Sequence, residues 1–205
     1  MDQPGRYALF GGSYDPVHLG HLLLATFARE KLDLDRVYFI PAARGPHRDR
    51  PPKAAQSHRL AMLRLALEGE PAFFPDDIEL RRGGVSYTID TVLRFREMLG
   101  GEPVILVGAD NLNDLGTWHR VDELVRLARF AYAPRPGSVI ALDGLPPGTR
   151  VLEVAMPPFG VSSTLVRQRA AAGLSLRWLV PDPVARYIEG KGLYADETRG
   201  LNPVP

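Results

Sequence analysis

The stretch Gly11-Gly12-Ser13-Tyr14-Asp15-Pro16-Val17-His18-Leu19-Gly20-His21 gathers glycines, a hydroxyl and two imidazoles into one short span. It follows an apolar run, Tyr7-Ala8-Leu9-Phe10, and precedes a segment with helical spacing, Leu22 to Leu32. A strand, a glycine turn and a helix start therefore meet here. Glycines let the backbone approach a bulky anion, and a helix start offers unpaired N–H groups and the positive end of a dipole. Imidazoles beside that pole can donate hydrogen bonds to phosphate oxygens. The chemistry implied is capture of a nucleotide's phosphates. A strand-turn-helix corner with two incidental histidines is the plainer alternative; the order Gly-Gly, Asp-Pro, His-x-Gly-His in that context speaks against it.

Three further stretches carry groups of the same kind. In Ser162-Ser163-Thr164-Leu165-Val166-Arg167, hydroxyls at a helix start are followed by an arginine one turn inward. Hydroxyls and backbone N–H groups suit an outer phosphate, and a guanidinium can clamp it with two bonds. Alone, this stretch reads as a cap with a solvated arginine. In Gly108-Ala109-Asp110, glycine allows close approach to a nucleoside, and Asp110 can accept bonds from ribose hydroxyls or cap a helix. Trp118, in a turn after Gly116, could stack on a flat ring, although tryptophan more often packs in a core. Ser86-Tyr87-Thr88 reads as a helix cap with a core tyrosine unless its neighbours give it a ligand.

The elements that must position these groups alternate. Strands are expected at Tyr7–Phe10, Val37–Ile40, Phe73–Phe74, Ile78–Leu80, Val104–Val107, Phe130–Ala133 and Val151–Ala155. Between them the spacing predicts helices over Leu22–Leu32, Gln56–Leu67, a segment opened by Thr88 as cap and running to Leu99, short pieces near Leu112 and over Val121–Leu127, then Thr164–Ala172 and Pro183–Glu189. In the first helix Leu19, Leu22, Leu23, Phe27 and Ala28 define the expected buried face. Pro41 to Lys53 reads as a long loop of the functional kind, and Ser138 to Thr149 as a surface excursion. Such alternation indicates α/β architecture: a Rossmann-like, doubly wound, mostly parallel sheet with helices on both faces and ligands at the carboxyl ends of its strands.

Composition narrows the function. A chain of 205 residues suits one domain with a substantial core, and 45% hydrophobic with 24% charged residues is ordinary for a globular protein. A formal charge of +1 argues against nucleic acid as a partner. The chain has no cysteine, which removes disulfides, thiolate chemistry and cysteine zinc sites. No apolar run reaches membrane-spanning length, and the N-terminus lacks the apolar core of a signal peptide, so a cytoplasmic location is expected. Nothing in the sequence fixes the oligomeric state; a homo-oligomer is compatible with it.

His18-Leu19-Gly20-His21, behind Gly11 to Pro16, resembles the signature of the nucleotidylyltransferase superfamily, which is related to the His-x-Gly-His element of class I aminoacyl-tRNA synthetases. Ser162 to Arg167 resembles that superfamily's second signature, Ser-x-x-x-x-Arg. Ser86-Tyr87-Thr88, Thr117-Trp118 and Arg135-Pro136-Gly137 are together similar to one branch, the bacterial nicotinate-nucleotide adenylyltransferases. So are Pro46-His47-Arg48, Leu179-Val180-Pro181, Tyr187-Ile188 and Gly192-Leu193-Tyr194. The likeness runs from Ala8 to Tyr194, and implies one nucleotidylyltransferase domain over 1–194 with a loosely held tail over 195–205. Gly45 and Gly116 stand where the family usually has proline, and His119 where tyrosine or lysine is commoner; these departures bear on loop rigidity.

The resemblance implies adenylyl transfer from ATP to nicotinate mononucleotide, giving deamido-NAD and pyrophosphate. It casts His18, His21 and Arg167 as catalytic. ATP would be held by Gly11, Gly12, Ser13, His18, His21, Gly108, Asp110, Ser162, Ser163 and Arg167. Nicotinate mononucleotide would be held by Ser86, Tyr87, Thr88 and Trp118, with Arg48 and Arg135 completing the set and Arg48 closing on the phosphates. Mg²⁺ is expected to arrive with ATP, held mostly by phosphates and water. The rivals are transfer to nicotinamide mononucleotide or phosphopantetheine, and a protein that senses ATP without turning it over.

Overall fold

The computed structural model describes residues 5–46, 51–134 and 141–195. Six parallel strands form its sheet: β1 (Tyr7–Gly12), β2 (Arg36–Pro41), β3 (Phe73–Pro75), β4 (Val104–Gly108), β5 (Arg129–Ala133) and β6 (Val151–Glu153). Their order is β3-β2-β1-β4-β5-β6. The order reverses between β1 and β4, which are direct neighbours with Ala8 opposite Val104 and Phe10 opposite Leu106. A crevice opens at the carboxyl ends of such strands.

The central strands have no polar face because both faces are covered. Side chains alternate with the period of two that extended chain imposes. Ala8 and Phe10 of β1, Val37 and Phe39 of β2, and Val104 and Leu106 of β4 point to one core. That core is closed by α1 (Leu19–Leu32), α2 (Gln56–Leu67), α7 (Ser163–Ala171) and α8 (Asp182–Lys191). Tyr7, Leu9, Tyr38, Ile40, Ile105 and Val107 point the other way. There they meet α4 (Thr88–Leu99), α5 (Ala109–Asn113) and α6 (Val121–Leu127).

Three local expectations are corrected, and the inward face of α2 holds a residue that apolar spacing alone does not call for. Ile78–Leu80 is not a strand but part of a short helix, α3 (Ile78–Arg82). Asp76 Oδ1 accepts the Ile78 N–H at 2.9 Å, and Asp77 Oδ1 accepts Arg81 Nε at 2.6 Å, so two aspartates close a turn where alternation alone suggested extension. In α1 the buried residues are Leu24, Ala25 and Ala28, with Leu19, Leu22, Leu23 and Phe27 half-buried beside them. Thr88 opens α4 rather than capping it; Tyr87 is the capping residue. In α2 the inward stripe carries Arg59 together with Met62, Leu63 and Leu67, while Leu60 is only half-buried.

Candidate active site

β1 ends in Gly11-Gly12, and the chain turns through Tyr14 with a left-handed φ of 47°. A Cβ on Gly12 would lie 3.2 Å from the Tyr14 ring, so any larger residue there would press the ring out of place by a few tenths of an ångström. The Tyr14 hydroxyl donates to the Phe10 carbonyl, and the Tyr14 and Phe10 rings pack against His21 at 5.1 and 5.9 Å between centroids. His18 takes the N-cap position of α1, and its backbone N–H donates to His21 Nδ1 at 3.2 Å. A ring nitrogen that accepts carries no proton, so in the neutral form of His21 the proton sits on Nε2. The two imidazoles lie 3.7 Å apart. Gly20 makes this pairing possible: a Cβ there would meet His18 Nδ1 at 3.0 Å and Cε1 at 3.1 Å.

The distant second motif is fastened to this turn. Arg167 Nη1 donates to the Asp15 carbonyl at 2.8 Å, and Ser163 Oγ donates to the Pro16 carbonyl at 2.8 Å. Ser162 caps α7 by accepting the Leu165 N–H at 3.2 Å. Asp15 is buried and its carboxylate is the knot: Oδ2 accepts the Lys53 N–H at 2.7 Å, and Oδ1 accepts the Ala54 N–H and the Tyr194 hydroxyl, each at 3.0 Å. Burial is the largest cause pushing the Tyr194 phenol far above its ordinary value, with the Asp15 carboxylate adding to it. Beneath the turn Arg59, 1% exposed, donates to the carbonyls of Ser13 (2.6 Å) and Ala42 (2.8 Å). A buried cation so placed ties the loop after β1 to the loop after β2. The start of α1 is held from the far side, where Leu19 N–H donates to the Leu179 carbonyl at 2.9 Å.

Beside the turn lies a cleft of about 1130 Å³, measured out to its open mouth. Gly11, Gly12 and Ser13 line it together with Ser86, Tyr87, Thr88 and Trp118. Trp118 is half-buried with its edge toward Phe130, and Tyr87 stacks on His119 with centroids 4.3 Å apart. Ser86 is buried; its Oγ accepts the Ala43 N–H at 2.9 Å, so it also locks the loop after β2. Gly108 ends β4 and caps α5, and Asp110 lies inside α5 rather than at its cap. The side chain of Asp110 is outside the described residues, as are Arg48 and Arg135.

The sequence-predicted residues thus fall into two adjoining groups. His18, His21, Ser162, Ser163 and Arg167 gather around the Asp15-Pro16 turn, and the glycines with the Ser86–Thr88 and Trp118 set line the cleft. Sequence reasoning missed Asp15, Arg59, Glu79, His119 and Tyr194. For Arg59 a signal was present, since an arginine on the apolar stripe of a helix needs a buried partner. No group of three histidine, aspartate or glutamate side chains that could hold a metal occurs among the described residues. Asp15, the carboxylate at the turn, already accepts from three donors, so a cation arriving with a nucleotide would be held mostly by the nucleotide's own phosphates.

Fold and turn chemistry together describe a nucleotidyltransferase, and the chain belongs to the cytidylyltransferase-like family, whose profile matches residues 9–169. Within it the chain groups with the bacterial nicotinate-nucleotide adenylyltransferases. A probable nicotinate-nucleotide adenylyltransferase of Geobacillus thermodenitrificans is 40% identical over 195 residues, spanning 95% of this chain and 88% of that one. Its counterpart from Exiguobacterium sibiricum is 43% identical over 194 residues, spanning 93% and 99%. Among solved structures, Plasmodium falciparum nicotinic acid mononucleotide adenylyltransferase complexed with NaAD superposes with a TM-score of 0.76 at 17% identity, over 93% of this chain and 98% of that one. At that identity the match establishes the shared fold.

Proposed function

We propose that this protein transfers the adenylyl group of ATP to nicotinate mononucleotide, a step of NAD biosynthesis. A phosphate oxygen of the mononucleotide bonds to the α-phosphorus of ATP as the bond from that phosphorus to the bridging oxygen breaks. The products are nicotinate adenine dinucleotide and pyrophosphate. The attacking phosphate is already a nucleophile at neutral pH, so the protein need not supply a base. Its work is to align two anions and to stabilise charge as it shifts to the leaving pyrophosphate.

The observation that carries this reading is the fastening of Arg167 and Ser163 to the Asp15-Pro16 turn, two residues before His18. It sets a guanidinium and a second helix start beside the imidazole pair. His21 Nε2–H and His18 would bind ATP phosphate oxygens. Arg167 and the first-turn N–H groups of α7 would bind the outer phosphates. The Ser163 hydroxyl proton goes to the Pro16 carbonyl, whereas Ser162 Oγ accepts in its cap and keeps its own proton, so the Ser162 hydroxyl and the backbone N–H groups would serve the anion at α7. Gly108 and Asp110 would face the ATP nucleoside, and Tyr87, Thr88 and Trp118 the acceptor's ring. Arg48 and Arg135 are proposed for the acceptor from the sequence alone. Mg²⁺ bound to the triphosphate would neutralise part of its charge.

Among the described residues no helix is long and apolar enough to cross a membrane. With soluble nucleotides as substrates, the cytoplasm is the proposed location. Pyrophosphate release, followed with ATP and either nicotinate or nicotinamide mononucleotide, tests the reading. Rapid release with the acid supports it; release with neither mononucleotide refutes it, and a clear preference for the amide refutes the acceptor assignment.

A further inference from the structure

The cleft proposed to take two anions is lined, among the described residues, by neither lysine nor arginine, and by a single acid, Glu79. Glu79 is only 6% exposed. A carboxyl in that position either meets the ligand directly or holds the wall that does. Its partners decide between these. Thr91 Oγ1 donates to Glu79 Oε1 at 2.7 Å, and the Ser86 side chain bonds to the same carboxyl. Ser86 Oγ in turn accepts the Ala43 N–H, and the Ser86 N–H donates to the Arg44 carbonyl at 2.8 Å. Arg82 Nη2 reaches the shared Thr91 oxygen at 3.4 Å. One carboxyl therefore joins α3, the lead-in to α4, the body of α4 and the loop after β2. Between the two residues that it braces, Ser86 and Thr91, lies the edge formed by Tyr87 and Thr88.

We propose that Glu79 is a positioning residue for the acceptor nucleotide: its carboxyl braces Ser86 and Thr91, and so fixes the Tyr87–Thr88 edge that lines the cleft with Trp118 and against which the acceptor's ring lies. This deepens the adenylyl-transfer reading and rests on it. Burial pushes the Glu79 carboxyl above its ordinary value, while the bonds from Thr91 and Ser86 and the charge of Arg82 pull the other way. The ATP contacts around His18, His21 and Arg167 are anchored through Asp15 and do not pass through this brace.

Steady-state pyrophosphate release, with nicotinate mononucleotide and ATP varied in turn, tests the assignment in wild type, Glu79→Gln and Thr91→Val. Loss of one such bond is expected to raise the acceptor's KM by about tenfold in both variants, with the KM for ATP and kcat each within about twofold of wild type. Thr91→Val keeps the branched shape and removes the donor, so it carries the test if Glu79→Gln fails to fold. Equal increases in both KM values, or an unchanged acceptor KM in a folded variant, overturn the proposal while leaving the parent reading intact. If wild type releases no pyrophosphate with the mononucleotide, the parent reading falls and this inference falls with it.

Discussion

Replacing Asp15 by asparagine removes the knot that joins the two motifs. The carboxylate, 4% exposed, accepts from Lys53 N–H, Ala54 N–H and the Tyr194 hydroxyl. An asparagine can keep its oxygen toward Ala54 and Tyr194, but its amide nitrogen then faces the Lys53 N–H, donor against donor. A charge-assisted bond is lost and a partly buried donor is left facing another donor, together worth about 2–4 kcal/mol. For a chain of this length that lowers Tm by about 5–15 °C. Tyr194→Phe removes only the hydroxyl and should cost about 1–2 kcal/mol. Because the asparagine keeps the Tyr194 bond but without the carboxylate's charge, Tyr194→Phe removes a weaker bond in that background, so the double variant should be less unstable than the two singles imply, by about 1 kcal/mol. Thermal or urea unfolding of all four proteins measures this cycle. An Asp15→Asn protein melting within about 2 °C of wild type, or strict additivity with Tyr194→Phe, would refute the reasoning.

Gly20→Ala places a methyl 3.0 Å from His18 Nδ1, so the ring must move; turnover should fall more than about tenfold while Tm changes little, as steady-state kinetics and calorimetry would show. Trp118→Ala should raise the KM for nicotinate mononucleotide by about tenfold and leave ATP affinity nearly intact, and equal weakening of both ligands would count against the stacking role. The Glu79 carboxyl has its value raised from 4.5 and is faced by Thr91, Ser86, Arg82, Asp90 and Tyr14. A raised value means that the fold favours the protonated form. That contribution is complete below 4.5 and is lost as pH rises through the folded value. Urea unfolding at several pH values should therefore show wild type losing stability relative to Glu79→Gln as pH rises, and a constant difference would contradict the sign.

Much of this architecture was legible because it is written locally. The central strands are short apolar runs with a period of two, and the helices of α2 and α6 are bounded by clear changes of pattern. The two phosphate-binding motifs are contiguous, so residue type and spacing sufficed. What stayed hidden depends on partners far away in the chain. Tyr194 was visible as part of Gly192-Leu193-Tyr194, yet its purpose appears only when its hydroxyl meets Asp15, 179 positions earlier. Arg59 lies on the apolar stripe of α2, which signals burial, but its partners, the carbonyls of Ser13 and Ala42, come from turns distant in the chain. Glu79 sat in a segment read as a strand, because Ile78-Glu79-Leu80 alternates. The aspartates at 76 and 77 override that alternation with local bonds that pattern counting does not weigh. Ser86 shows the converse. Its motif membership suggested a ligand contact, and the fold, besides setting it in the cleft wall, has its oxygen accept the Ala43 N–H, a structural task that the motif does not announce.

The central claim is that the paired imidazoles and the Arg167 guanidinium serve one triphosphate. A crystal structure of the protein with a non-hydrolysable ATP analogue tests it most directly. The account predicts His21 Nε2 and the guanidinium of Arg167 both within hydrogen-bonding distance of phosphate oxygens of the same nucleotide. A nucleotide bound with its phosphates away from either group would contradict it.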